Sequence, residues 1–191
     1  MKEVLQLDTG LTGSVLEEPS LPDNEQRARR LVDLGSAYVL KNKLTEARDF
    51  FERSLEIYPT ADAYTYLGWV MTYHGCYIEA IELCTKAIEL DPEFGNPYND
   101  IGVYLMRLKK SKAAIEWFEK AKKAKRYEPR HFPYLNLGIL YLKMGRLSRA
   151  YEEFSQVLVH EPDHEEAKKQ IQELEVLLNF QESLSKEAAK N

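Results

Sequence analysis

Only two cysteines, Cys76 and Cys84, occur among the 191 residues, which excludes a disulfide framework as the source of the fold. Glycine (9) and proline (8) are scarce, so long helices meet few breakers. No run of 18 apolar residues exists, and direct membrane insertion by a helix is not expected. The opening MKEVLQLDTG carries Glu3 and Asp8 and does not read as a secretory signal. An excess of positive charge is also missing: 26 Lys and Arg face 31 Asp and Glu, a net charge of −5. General nucleic-acid binding, which needs a concentrated basic surface, is therefore not expected. Together these absences predict a cytoplasmic protein. What remains is ordinary globular composition, with 44% hydrophobic and 30% charged residues, sized for one domain or one short repeat array.

The chain repeats itself. Gly35, Gly68, Gly102 and Gly138 are spaced by 33, 34 and 36 residues. Twelve residues after each glycine stands an alanine (Ala47, Ala80, Ala114, Ala150), and four residues later Phe51, Cys84, Phe118 or Phe154. Each unit closes on a proline: Pro59, Pro92, Pro129, Pro162. Four matched columns at a near-constant period outweigh any single-element reading. Within each unit the apolar spacing is helical on both sides of a polar break; Leu31, Leu34, Ala37 and Tyr38 precede Lys41-Asn42-Lys43, and Ala47, Phe50, Phe51 and Leu55 follow it. Each unit is predicted to be a helix hairpin. A glycine inside a helix costs about 1 kcal/mol against alanine, so four at equivalent places predict close approach of the paired helices.

These columns resemble the tetratricopeptide repeat. Leu34-Gly35 with Tyr38 and Leu137-Gly138 with Tyr141 match the family's leucine-glycine-tyrosine pattern, while Met71 and Leu105 replace that tyrosine in the middle units. Tyr64, Tyr98 and Tyr134 stand where the family often has tryptophan. The resemblance implies an all-α fold, a right-handed superhelix of stacked antiparallel helix hairpins. The expected organisation is an N-terminal arm over 1–22, four repeats over 23–164 (about 28–60, 61–94, 95–130 and 131–164), a C-terminal capping helix over 165–180 and a frayed tail over 181–191. Asp23 and Gln26 have capping-box spacing and predict a first helix from about Asn24. The third unit places its proline three residues late, close to one helical turn, so its second helix is expected to be extended. That stretch carries Lys120, Lys122, Lys123, Lys125, Arg126 and Arg130, read as a solvated face, with an acidic partner as the alternative.

The family's concave wall is formed mainly by the first helix of each unit. By that resemblance the candidate peptide-binding residues are Arg29, Val32 and Ser36; Thr65, Tyr66, Trp69 and Tyr73; Asn96, Asn99, Val103 and Arg107; and Phe132, Leu135, Asn136, Ile139 and Lys143. Asp33, Asp100, Met106 and Leu142 flank them. Trp69 is the expected anchor, since aromatic residues dominate buried contact sites, and its alternative is packing between hairpins. Asn99 and Asn136 are suited to bond a partner's backbone because an amide both donates and accepts. The basic clamp by which one family branch holds chaperone C-termini is not made in either frame: Val32, Ser36, Tyr66, Asn96 and Asp100 occupy one, and Thr65, Trp69, Asp100, Phe132 and Asn136 the other.

No catalytic arrangement is legible. His160 and His164 are four apart, but Pro162 between them prevents a shared helical turn, so no metal site is expected. Cys84 occupies a core column, no nearby base activates Cys76 persuasively, and the glycines fall at repeat spacing rather than in a phosphate loop. The expected function is a noncatalytic interaction scaffold, without cofactors, that takes a short peptide or helix in its groove. The alternative is a structural or assembly subunit using its convex surface or end helix, including self-association through Ile171, Leu174 and Leu178.

Overall fold

The structure is a computed structural model that describes residues 24–188; the predicted arm and the Asp23 cap lie outside the described residues. Among the described residues nine helices follow in order: α1 (Asn24–Leu40), α2 (Leu44–Ile57), α3 (Ala61–Thr72), α4 (Tyr77–Leu90), α5 (Asn96–Arg107), α6 (Ser111–Lys123), α7 (Phe132–Lys143), α8 (Leu147–His160) and α9 (Glu165–Ala188). They form four hairpins and an end helix. Each helix packs most closely on its hairpin partner and then on the next hairpin. The first helices α1, α3, α5 and α7 also touch in series, which puts them on one shared wall.

The recurring spacing is explained by rings seated on glycines. A Cβ built on Gly102 would lie 2.5 Å from Phe118 Cε1, and one on Gly35 or Gly138 would meet Phe51 or Phe154 at 2.5 and 2.7 Å. These three phenylalanines are fully buried, as are Ala47, Ala80, Ala114 and Ala150. The aromatic side chain itself, rather than the alanine four residues before it, therefore fills the space the glycine opens. In the second hairpin Cys84 replaces the ring, and the added Cβ of Gly68 would meet Ala80 O at 3.1 Å, Cys84 Sγ at 3.3 Å and Leu83 Cβ at 3.5 Å. Burial pushes the Cys84 thiol well above its ordinary pKa.

The hairpin turns share one geometry that the repeat columns do not announce. Asn42, Gly75, Lys109 and Gly145 have positive φ, at 55°, 74°, 59° and 69°. The next residue of each turn donates its N–H back into the first helix: Lys43 to Tyr38, Cys76 to Met71, Lys110 to Leu105, Arg146 to Tyr141, at 2.9–3.3 Å. This is the bonding of a helix C-terminus closed by a left-handed residue, where glycine is favoured. Lysine holds the position in the third hairpin against its Cβ. Lys109→Gly is expected to raise stability by about 0.5–1 kcal/mol, seen as a higher urea midpoint at unchanged slope, and Gly75→Ala to lower it.

The third unit departs from expectation. Its second helix is not extended: α6 ends at Lys123, and Ala124 is already in extended conformation. The extra residues instead run beside the α4–α5 loop, with Arg126 N–H bonded to Glu93 O (2.9 Å) and Gly95 N–H to Arg126 O (3.0 Å). Tyr127 is buried directly over Gly95, where a Cβ would collide with its side chain. Burying that ring outweighs one more helical turn. The basic stretch is also largely answered from within. Lys122 Nζ lies 2.8 Å from Glu153 and 3.0 Å from Glu119, Arg126 Nε donates to Asp91 at 3.0 Å, Lys125 reaches Glu93 at 3.3 Å, and Lys120 sits over the Trp117 ring.

At the C-terminal end, α9 continues to Ala188, beyond residue 180 where the capping helix was expected to stop. Ala167 and Leu174 are buried against α8, and Ile171 packs beside them. Leu174 thus covers the fourth hairpin, while Ile171 and Leu178, the other residues of the expected self-association face, are half buried. The exposed apolar residues of α9 are Val176, Leu177, Phe180 and Leu184.

Candidate functional site

The wall made by the first helices carries two adjoining cavities. The first, of about 370 Å³, lies between α1, α3 and α5 and is lined by Ser36, Val39, Leu40, Thr65, Tyr66, Trp69, Phe94, Asn96 and Asp100. The second, of about 400 Å³, continues along α3 and α5 past Thr72, Tyr73, Tyr77, Val103, Tyr104 and Arg107. Trp69 and Asp100 line both and mark the junction. A polar mouth of about 350 Å³ opens at the other end between Arg29, Val32, Asp33, Asp62, Tyr66 and Arg126.

Aromatic packing sets the wall. Trp69 is half buried, with Tyr73 edge-on at 4.8 Å, while Tyr66 stacks on the buried Phe51 ring at 5.5 Å and stays 41% exposed. Both rings therefore offer apolar surface on a rigid support. Burial, with the Asp62 charge adding to it, raises the Tyr66 hydroxyl pKa. Asp100 is half buried, and its one side-chain hydrogen bond is a long one from Asn99 Nδ2, at 3.5 Å. Burial pushes its carboxyl up to about 7, with the Asn99 bond opposing. An uncompensated carboxyl beside apolar rings favours a hydrogen-bond donor or cation from outside.

The amides behave differently from expectation. Asn99 is buried and accepts from Asn136 Nδ2 at 2.9 Å, so the two amides tie α5 to α7. Thr65 is also buried, its hydroxyl donating to Ala61 O at 2.7 Å. Val32 is buried against the Phe51 cluster, while Leu135 and Ile139 pack on the Phe154 cluster. Of the remaining candidates, Ser36, Tyr66, Trp69, Tyr73, Asn96, Val103 and Arg107 line the two cavities, and Arg29 lines the mouth. Phe132 and Lys143 are exposed at the two ends of α7, away from these cavities. Residues that repeat columns could not reveal are Phe94, from the α4–α5 loop, and Arg126, from the third-unit insertion; both come from outside the first helices.

The architecture defines the class: an all-α array of stacked helix hairpins whose first helices form one wall. The tetratricopeptide-repeat profile matches residues 61–94, and a second profile of the same repeat matches 28–60, 96–127 and 133–164, and the chain belongs to this family. It is a protein-interaction scaffold fold, and proteins of the family bind other proteins or peptides. The chain is 27% identical over 161 residues to the type IV pilus assembly protein PilF of Pseudomonas aeruginosa, covering 81% of this chain and 64% of that one. The solved structure of PilF superposes with a TM-score of 0.75 at 23% identity, over 84% of this chain and 72% of that one. A UDP-N-acetylglucosamine–peptide N-acetylglucosaminyltransferase of Giardia intestinalis is 29% identical over 106 residues, 55% of this chain but 7% of that protein. This chain thus spans less than two thirds of either curated relative. A repeat domain of Spaghetti (RPAP3), solved bound to an HSP90 peptide, superposes with a TM-score of 0.56 at 24% identity, over 62% of this chain and 93% of that one. No described helix is long and apolar enough to cross a membrane.

Proposed function

We propose that the chain is a noncatalytic adaptor whose inner wall receives one short extended peptide or one partner helix across α1, α3 and α5. The observation that carries this reading is the pair of open cavities meeting at Trp69 and Asp100. An apolar side chain of the partner enters beside Trp69 and Tyr66, and an adjacent donor or cation meets Asp100. Rigid aromatic surface of this kind is what concentrates binding energy in an interface. The Asn99–Asn136 pair contributes by fixing the α5–α7 spacing rather than by touching the partner.

The test is selection of peptides on the immobilised full chain from a random displayed library, followed by affinity measurement on variants. Trp69→Ala is expected to weaken a selected peptide roughly tenfold or more with the helical circular-dichroism signal unchanged. Retained affinity in Trp69→Ala refutes the groove reading.

One observation favours a second reading, in which the end helix joins an assembly. Val176, Leu177, Phe180 and Leu184 leave an apolar stripe on α9 that is 47–69% exposed. Under that reading the chain sediments as a concentration-dependent oligomer, Phe180→Glu restores the monomer, and Trp69→Ala changes nothing.

A further inference from the structure

Three side chains at the ends of three helices, His131 distant in sequence from the other two, meet at the base of the fourth hairpin. His131 immediately precedes α7, Glu161 follows α8, and His164 immediately precedes α9. One ligand atom from each lies within 4.8 Å of the other two, and all three residues are half buried. His131 Nδ1 is 3.0 Å from Glu161 Oε2, and the two imidazoles stand edge to face at 5.3 Å. The backbone beneath them is bonded in place: Glu161 N–H to Val157 O at 2.8 Å, His164 N–H to Glu161 O at 3.1 Å, and Leu135 N–H to His131 O at 3.0 Å. The cluster is separate from the groove cavities.

We infer that His131, Glu161 and His164 form a zinc-binding site that clamps the start of α7 to the α8–α9 turn. Two imidazole nitrogens and one carboxylate oxygen are a donor set suited to Zn²⁺, and three protein ligands leave a fourth tetrahedral position for water. Ligand bonds of about 2.0–2.2 Å place such atoms closer together than 4.8 Å, so side-chain rotation completes the site while the backbone stays fixed. A set containing two nitrogens discriminates against Mg²⁺ and Ca²⁺, which favour all-oxygen coordination.

Binding exchanges one contact for another. His164 Nδ1 accepts the Ala167 N–H at 3.2 Å and so caps α9. An imidazole that ligates through Nε2 carries its proton on Nδ1, and one that ligates through Nδ1 uses the same lone pair. Zinc therefore releases that cap in either mode and replaces it with a metal bond. His164→Asn is the informative variant, because asparagine can cap a helix but does not supply the imidazole.

The experiment is titration calorimetry of the chelator-treated full chain with Zn²⁺, paired with thermal unfolding. The expected result is binding of about one equivalent, a melting temperature raised by micromolar Zn²⁺ and restored by EDTA, and no response to Mg²⁺. His164→Asn and His131→Gln are each expected to lose roughly tenfold or more in zinc affinity while keeping helical content, and His74→Gln to bind as the parent does. Absence of zinc binding in the parent overturns the inference. So does zinc binding that survives both His164→Asn and His131→Gln, or an equal response to Mg²⁺.

Discussion

Phe118→Ala is expected to lower stability by about 3–5 kcal/mol, and Gly102→Ala, a change at the opposite side of the same contact, by up to about 2 kcal/mol. Phe118 has no exposed surface, so its removal loses the transfer energy of a whole ring and leaves a cavity between α5 and α6. For Gly102 two effects compete. Alanine is about 1 kcal/mol better than glycine in a helix interior. Its Cβ, however, would stand 2.5 Å from the Phe118 ring, and overpacking of a filled core costs about 1–3 kcal/mol. The ring cannot yield, because Ala114, Ile101 and Leu137 are fully buried in the same cluster. Gly68→Ala is the control, since its nearest obstacles lie at 3.1 and 3.3 Å and the Cys84 side chain is small; its change is expected within about 1 kcal/mol. Urea denaturation followed by circular dichroism measures all three. In a Phe118→Cys background, which imitates the second hairpin, the Gly102→Ala penalty should disappear. Persistence of the penalty there would show that the glycine serves something other than the ring.

The same contact explains what a reader of the sequence can and cannot see. Gly102, Ala114 and Phe118 are legible because the hairpin recurs, and each recurrence repeats one local geometry. Four copies of one packing solution make columns. The contacts that define the candidate site have no such copies. Asn99 meets Asn136 across two units, and in this pairing Asn99 is buried while Asn136 stays half exposed. Tyr127 turns back onto Gly95 only because that glycine leaves room for it, so an insertion sized for a helical turn becomes extended chain. That detour carries Arg126 to the groove mouth, where no repeat position would place it. His160 and His164 drew attention by their spacing, whereas the residue that joins His164 and Glu161 is His131, thirty residues earlier. Periodicity records what is shared between hairpins. Partner surface and clustered ligands arise from what differs between them.

Asp100→Asn is expected to make the chain more stable above neutral pH and to flatten the pH dependence of stability between about pH 4 and pH 7. The unfolded chain releases this proton near the ordinary aspartate value of about 4, whereas burial holds the folded carboxyl protonated up to about 7. Between those values the folded state binds more protons than the unfolded state, so stability falls as pH rises through the window and levels off above it. A rise from about 4 to about 7 corresponds to about 4 kcal/mol for a carboxyl sealed from water. Asp100 borders two open cavities and keeps part of its hydration, so about 1–2 kcal/mol is the expected difference between parent and variant at pH 8. Arg107 is the charged side chain that lines a cavity with it, and the neutral Asn99 amide supplies the long hydrogen bond. Subtracting the variant's urea midpoints from the parent's at each pH cancels the other carboxylates and isolates this one. Equal pH slopes in the two proteins would mean that Asp100 is ionised and hydrated throughout. On the proposed function, the destabilising charge has a use. A cationic or donor group on a bound peptide stabilises the ionised carboxyl and lowers its pKa, so complex formation releases a proton near pH 6 and affinity rises towards pH 8. Asp100→Asn should abolish that pH dependence while Trp69→Ala weakens binding at every pH, which separates the polar contact from the apolar anchor.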